Sequence, residues 1–421
     1  MAVSSGRGPL DGIRVVTFAQ LYQGPYATML LADLGADVIV VERPGTGDPA
    51  RGQGVMFDAL NRGKRSMTLD LKQPADQETA LRLVRTADVL FEAYRPGTME
   101  RFGLGYSRVS AVNPGLVYVS VSGFGQDGPY RDRPGHDLMF QAVAGLLGGL
   151  RDRPEAVLPP PDLETGGIVG ALYAALGAMV GLVGRAATGR GTHVDLSTHE
   201  ALMSILSLRF EPVLNGPDGS AAAPGREPGY GMYRCADGLL IALGIGFEDH
   251  FWAALCQATG LTAHARLSQA ERLARGDALA GELAGALATR TRAEWQETFD
   301  RIGVPACPVH RLREALSDPH VAARRTIRPL SGQSSPGRLS PGQSSPVQSP
   351  SDQSPSGQFP PGQSPARQPQ PGRPRRYVRQ PLRLSGYAAP DPIAAPLLGE
   401  HTASILRELT PRSHTEEANR P

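Results

Sequence analysis

A strand–turn–helix–strand pattern near the start of the chain limits the fold more than any other feature. Residues 13–18 form an apolar, β-branched run, residues 20–25 a turn, and residues 26–34 a helix stopped by Gly35. Residues 37–42 are a second apolar strand. Two such strands joined by one helix must run parallel, because the helix carries the chain back to the end from which the first strand started. The spacing therefore predicts a βαβ unit, an α/β fold class, and ligands at the carboxyl ends of the strands. No Gly-x-Gly-x-x-Gly follows the first strand, so the dinucleotide fingerprint is absent.

Similar runs recur at 67–71, 88–92, 115–121 and 192–197, with helices at 75–86 and 198–210. Together they predict a large Rossmann-like domain whose first part is 8–210. Residues 211–230, rich in Pro, Gly and Ala, read as a linker, and 231–325 as a small α+β domain. That domain has a hairpin turning at Asp237-Gly238, a helix over 248–259, and helices around 269–290 and 293–302. Residues 331–376 are a Pro/Ser/Gln/Gly-rich insertion built on a pentapeptide repeat, too poor in apolar side chains to offset chain entropy, and are expected to be disordered. Residues 377–410 return to the large domain, and 411–421 form a flexible tail.

Charge is nearly balanced, 43 basic against 41 acidic residues, which supplies no field for nucleic acid. Cys235, Cys256 and Cys307 are too few for a disulfide framework and lack metal-ligand spacing, which fits a reducing cytoplasm and no metal. The first residues lack the apolar core of a signal peptide. The uncharged run 168–184 is just short of a spanning helix and reads as a buried core helix, so no membrane is expected.

Arg43, Lys64, Arg65, Lys72, Arg95 and Arg101 fall near strand ends, a set that suits a ligand with several phosphates; any one of them taken alone reads equally as a solvated loop residue. A glycine-rich loop, 122–129, delivers the chain to the stretch 133–170. There His136 and Asp137 open the uncharged run 138–150, and Asp162 follows three prolines ahead of the uncharged run 168–183. Apolar packing disfavours charge while a helix N-terminus favours an anion, so carboxylates and an imidazole at such mouths can have shifted pKa values. Asp162 also reads as an ordinary N-cap. If it opens the helix, the N–H groups of Gly166 and Gly167 face a developing oxyanion.

Several segments in order, GPYATMLLADLGADVIVVERPG, NRGKRSMTLDLK, RPGTMERFGLGY, SGFGQDGPYRDRPGHD and PDLETGG, resemble the class III coenzyme A transferases of the CaiB/BaiF type, a superfamily shared with alpha-methylacyl-CoA racemases. The resemblance implies a large domain built from both chain ends, a small domain between them, and an interlocked homodimer. It implies acyl-CoA and a carboxylic acid as substrates, with coenzyme A as acyl carrier and no tightly bound cofactor. It places Asp162 as the nucleophile and His136 and Asp137 beside the thioester. It places Tyr22, Gln23, Arg43, Leu69, Lys72, Ala93, Tyr94, Arg95 and Arg101 around coenzyme A. Glu248 falls where racemases carry a glutamate that contacts the catalytic histidine; an acidic residue in a helix's first turn has the same appearance.

Two reactions follow from these roles. In transfer, the carboxylate attacks the thioester, releases thiolate and leaves a mixed anhydride, and the reaction runs through an aspartyl mixed-anhydride/thioester intermediate that the acceptor acid and returning thiolate resolve. In racemisation, the resemblance pairs His136 with Asp162, and such a His–Asp pair removes and returns the alpha proton. Many transferases have Tyr where this chain has His136, whereas Phe140-Gln141-Ala142 and Leu163-Glu164-Thr165 are closer to the transferase pattern. Coenzyme A transfer is the expected activity, with racemisation the alternative.

Overall fold

The structure, a computed structural model, describes residues 8–53, 55–148, 164–216, 227–331, 375–387 and 391–410. Contacts divide the chain into two units, Met1–Ser207 with Thr326–Pro421, and Leu208–Arg325.

In the first unit the chain runs β1 (Arg14–Thr17), α1 (Gln23–Asp33), β2 (Asp37–Glu42), α2 (Met56–Leu60), β3 (Arg65–Thr68), α3 (Pro74–Arg85) and β4 (Val89–Glu92). It continues through α4 (Thr98–Arg101), α5 (Tyr106–Val112), β5 (Val117–Ser122), α6 (Asp137–Val143), α7 (Thr165–Thr188), β6 (His193–Ser197) and α8 (Thr198–Ile205). The six strands form one sheet in the order β3-β2-β1-β4-β5-β6, with every pairing parallel. The order reverses between β1 and β4, so the loops after these two strands diverge and leave a crevice at their carboxyl ends.

Alternation along each strand fills two cores. Val16, Ile39, Met67, Leu90 and Tyr118 pack on one face with α3 and α5. Val15, Val38, Val89, Phe91, Val117 and Val119 pack on the other, against Ala27 and Leu31 of α1 and Ala171, Ala174 and Ala178 of α7. Small residues let α7 lie close to the sheet: a β-carbon on Gly177 would stand 2.7 Å from Val194 Cγ1, and one on Gly181 2.5 Å from Val117 Cγ1. Length and composition alone would let α7 cross a membrane, but its small-residue face is buried in this core.

The second unit begins within α9 (Ser207–Asn215), which carries Pro212 in its interior. Residues 211–215, expected in a linker, are therefore helical. An antiparallel sheet follows, formed by β7 (Tyr230–Arg234), β8 (Leu240–Gly244) and β9 (Ala306–Pro308). Helices α10 (Asp249–Thr259), α12 (Gly276–Leu287) and α13 (Arg292–Ile302) bury Trp252, Leu283, Trp295 and Phe299 against it, and α11 (Gln269–Ala274) lies between α10 and α12 in the chain. Two short helices, α14 (Leu312–Leu316) and α15 (Pro319–Ala323), end the unit. Arg272 is wholly buried there and is fully engaged by Glu227, Asp249 and the carbonyls of Leu267 and Gly246.

The chain then rejoins the first unit. Strands β10 (Ile327–Pro329) and β11 (Arg376–Val378) pair, and α16 (Thr402–Glu408) docks on β3 through Ile405 and a bond from Thr68 N–H to Thr402 Oγ1 at 3.1 Å. The expected insertion at 331–376 lies mostly outside the described residues, although Arg376 already belongs to β11.

Several boundaries differ from expectation. Helix α1 starts at Gln23 inside the expected turn, since Pro25 suits a first helical turn. Helix α6 ends at Val143, where the run 138–150 was expected to continue, and Gly145 follows with a positive φ of 85°. The helix expected around 269–290 breaks at Arg275 into α11 and α12.

Candidate active site

The turn after β1 is held in an uncommon shape. Leu21 has φ 65°, a left-handed conformation that costs a leucine free energy. Its N–H donates to both carboxylate oxygens of buried Asp48, at 3.1 and 3.2 Å. Asp48 in turn takes Ala50 N–H at 2.8 Å and gives its own N–H to Glu42 at 3.0 Å. Glu42, at the end of β2, is buried and held by Arg51 and Ser66. A rigid polar bracket thus fixes the residue before Tyr22 and Gln23.

Those two side chains meet the start of α7. A β-carbon on Gly167 would lie 3.0 Å from Tyr22 Cδ1, and one on Gly170 3.6 Å from Gln23 Cδ. Thr198 Oγ1 lies 3.2 Å from Gln23 Oε1 and also bonds Ser122 O at 3.0 Å, so α8 and β5 steady the same place.

Asp137 opens α6 and reaches across to α7. Its Oδ1 accepts Gly167 N–H at 2.7 Å and its Oδ2 accepts from Gln141 Nε2. A β-carbon on Gly166 would stand 2.6 Å from Asp137 Oδ1, so only glycine lets the carboxylate approach this closely. Both oxygens are engaged, which makes Asp137 the anchor of the α7 N-terminus. Helix α7 opens at Thr165 with Glu164 at its N-cap position, two residues beyond Asp162. The expectation that Asp162 caps this helix, with Gly167 N–H facing an oxyanion, is therefore corrected, because Asp137 already takes that N–H. Asp162 itself lies outside the described residues.

Glu164 was not singled out by the sequence, where Asp-Leu-Glu-Thr resembles a plain helix start. Burial, then the nearby Asp137 charge, pushes its carboxyl up, while His136 pulls it down. Tyr22 is also pushed up, by burial first and then by Glu164. His136, at the N-cap of α6, is exposed. Tyr22, Gln23, His136, Asp137 and Glu164 thus form one cluster at the mouth of α7.

The other site candidates line the carboxyl edge of the sheet. Arg43 follows β2, buried Leu69 and exposed Lys72 follow β3, and Ala93, Tyr94 and Arg95 follow β4, with Arg101 closing α4. Ala93 meets the first turn of α1, its Cβ 3.9 Å from where one on Gly24 would stand. Burial pushes the Tyr94 hydroxyl up to about 12. Among the described residues, no side-chain hydrogen bond or ion pair ties down Arg43, Lys72 or Arg95, while Arg101 Nη2 donates to Thr98 Oγ1 at 2.9 Å.

Lys64 and Arg65 do not belong to this set. Lys64 is wholly buried and donates to Pro25 O, Thr28 Oγ1 and Asn61 Oδ1 at 2.8, 2.8 and 2.9 Å. Arg65 begins β3, at the amino end of the sheet, and pairs with Asp37 and Glu408. Glu248 belongs to the second unit, where it precedes α10 and accepts Gly246 N–H at 3.0 Å.

Comparison with known proteins gives this geometry a family. Succinyl-CoA–D-citramalate CoA-transferase of Chloroflexus aurantiacus is 36% identical over 337 residues, 76% of this chain and 83% of that protein. Human alpha-methylacyl-CoA racemase is 35% identical over 318 residues, 74% of this chain and 80% of that protein. The crystal structure of a CaiB/BaiF family protein from Brucella suis superposes with a TM-score of 0.76 at 28% identity, covering 96% of this chain and all of that one. The model of CoA-transferase family III matches residues 10–351, and the chain belongs to that family.

Proposed function

We propose that this enzyme transfers coenzyme A between an acyl-CoA and a free carboxylic acid, with Asp162 as the nucleophile. The observation that carries the reading is the approach of Tyr22 and Gln23, at the start of α1 by the sheet's switch point, to Gly167 and Gly170 of α7. A thioester lying along that turn reaches the helix whose approach carries Asp162.

In the first step an Asp162 oxygen bonds to the acyl carbon, the C–S bond breaks, and coenzyme A leaves as thiolate, giving a mixed anhydride. The acceptor carboxylate then exchanges at the anhydride, the donor acid departs, and the thiolate attacks the new acyl carbon and frees Asp162. A carboxylate is ionised at neutral pH, so no base is needed to activate it. Arg43, Lys72 and Arg101 serve the nucleotide end, and Tyr22 and Gln23 the pantetheine end. Relatives include both CoA-transferases and racemases; Phe140-Gln141-Ala142 and Leu163-Glu164-Thr165, closer to the transferase pattern, support transfer.

We also infer a homodimer, interlocked as the family resemblance implies. Leu172, Leu176, Val180 and Val183 form one exposed stripe on α7, the last 69% exposed, which a second copy would cover. The three cysteines are free, in keeping with a cytoplasmic protein.

Mass spectrometry of the protein incubated with acyl-CoAs tests the chemistry. An adduct on the peptide carrying Asp162, absent in Asp162→Ala, is expected. Turnover without such an adduct, at full rate in Asp162→Ala, would overturn the assignment.

A further inference from the structure

We propose that Arg131 is the second arm of a two-guanidinium phosphate clamp whose first arm is Arg101 and whose floor is Gly97. The inference rests on the coenzyme A reading and adds a residue from a different loop to it.

Gly97 follows β4 with a φ of 82°, a conformation suited to glycine. A β-carbon there would stand 3.6 Å from Arg131 Nη2 and 3.7 Å from Arg101 Nη1. Two cationic groups from separate segments therefore converge above one bare stretch of backbone. Each is already oriented by its other nitrogens. Arg101 Nη2 donates to Thr98 Oγ1 at 2.9 Å. Arg131 Nε donates to Gln126 O at 2.8 Å, and its Nη1 to Asp132 Oδ1 at 2.9 Å. Among the described residues, no acceptor meets the two nitrogens that face Gly97.

Convergence of like charges is unfavourable unless an anion lies between them, and planar guanidinium forks match phosphate oxygens in pairs. Asp132 offsets part of the charge on Arg131 while leaving Nη2 pointed at the glycine. The place is right for a nucleotide, because the loop after β4 borders the crevice where the strand order reverses. The glycine-rich loop after β5 gains a role thereby: it carries Arg131 from the end of β5 to the edge of β4.

Calorimetric titration of the full chain with coenzyme A, 3′-dephospho-coenzyme A, pyrophosphate and pantetheine tests the clamp. Arg131→Ala is expected to weaken coenzyme A about tenfold or more, the loss of one charge-assisted bond, while leaving phosphate-free pantetheine unchanged. Arg131→Lys is expected to recover part of the loss. If 3′-dephospho-coenzyme A is weakened equally, the clamp holds the diphosphate; if it is unaffected, the clamp holds the 3′-phosphate. Arg131→Ala that binds coenzyme A as tightly as wild type, or that weakens pantetheine by the same factor, overturns the clamp. Wild type that binds pyrophosphate through Arg131 but not coenzyme A leaves the clamp standing and removes the coenzyme A reading.

Discussion

Both carboxylate oxygens of Asp48 accept the N–H of Leu21, at 3.1 and 3.2 Å, and so hold a leucine at φ 65°. Left-handed backbone in a non-glycine residue costs about 1–3 kcal/mol and persists only where its surroundings impose it. Tyr22 and Gln23 follow directly, so the strain sets the side chains that face α7. Asp48→Ala is expected to lower kcat/KM at least tenfold by letting the turn relax. Leu21→Gly, which removes the strain, is expected to keep most of the activity and to rescue much of the loss in Asp48→Ala/Leu21→Gly. Steady-state kinetics of the four proteins decides it, and an unrescued double variant would count against the strain account.

Lys64 illustrates a cation with a structural task. Its three acceptors, Pro25 O, Thr28 Oγ1 and Asn61 Oδ1, use all three N–H donors of an ammonium, and two of them belong to the first half of α1. Burial pushes the amine well below the ordinary lysine range, against the pull of Asp48. Lys64→Ala is expected to cost about 3 kcal/mol or more, from a cavity and orphaned acceptors together. Lys64→Met, which keeps the stem volume, is expected to cost less. Because the folded chain releases this proton before the unfolded chain does, the penalty is present at neutral pH and fades as pH rises toward 10.5. Urea melts at neutral and alkaline pH should show wild type gaining on Lys64→Met as pH rises; a constant gap would refute the titration.

Glu92, buried at the end of β4, is pushed up to about 7, first by burial. Its Oε2 accepts Tyr94 N–H at 2.8 Å, so it also shapes the loop that carries Tyr94 and Arg95. The folded chain keeps a proton that the unfolded chain loses near 4.5. Stability from this group is therefore greatest below that pH and falls as pH climbs through about 7. Glu92→Gln should be the more stable protein at pH values above this window, by up to about 3 kcal/mol, with the gap closing in acid. Thermal melts across this range provide the measurement, and a gap that widens in acid would reverse the sign.

The parallel sheet was legible in the sequence because its strands are unbroken β-branched runs, buried on both faces, such as Val38 to Val41. What sequence could not sort was which cations are already satisfied. Lys64 and Arg65 sit beside each other in a basic stretch like any loop pair. Their acceptors lie at Pro25 and Thr28 for one, and at Asp37 and Glu408 for the other. The Asp48–Leu21 bond joins residues 27 apart, and Asp137 reaches Gly167 across 30. Spacing along the chain carries no trace of such contacts, since they depend on how strands and helices stack. The end of α1 was easier to read than its start, because Gly35 is a strong stop signal, whereas Pro25 suits a turn and a first helical turn alike.

The choice between the two reactions turns on His136. His136 is exposed at the start of α6, while Asp137 spends both oxygens on Gly167 and Gln141. In a transferase, His136 positions the thioester and does not move a proton, so His136→Tyr should retain much of the turnover. In a racemase the same change removes a proton-transfer group, a loss of about 10²–10⁴-fold. Asp137→Ala should cost about 10²-fold, because displacing the α7 N-terminus misplaces the nucleophile. Asp137→Asn, whose Oδ1 can still accept Gly167 N–H, should cost less. Solvent deuterium separates the reactions independently of any variant: transfer leaves the alpha carbon untouched, whereas racemisation must exchange its proton with water. No enzyme-dependent alpha deuteration of a 2-methylacyl-CoA is expected. Rapid uptake without an acceptor acid, lost in His136→Tyr, would replace transfer with racemisation.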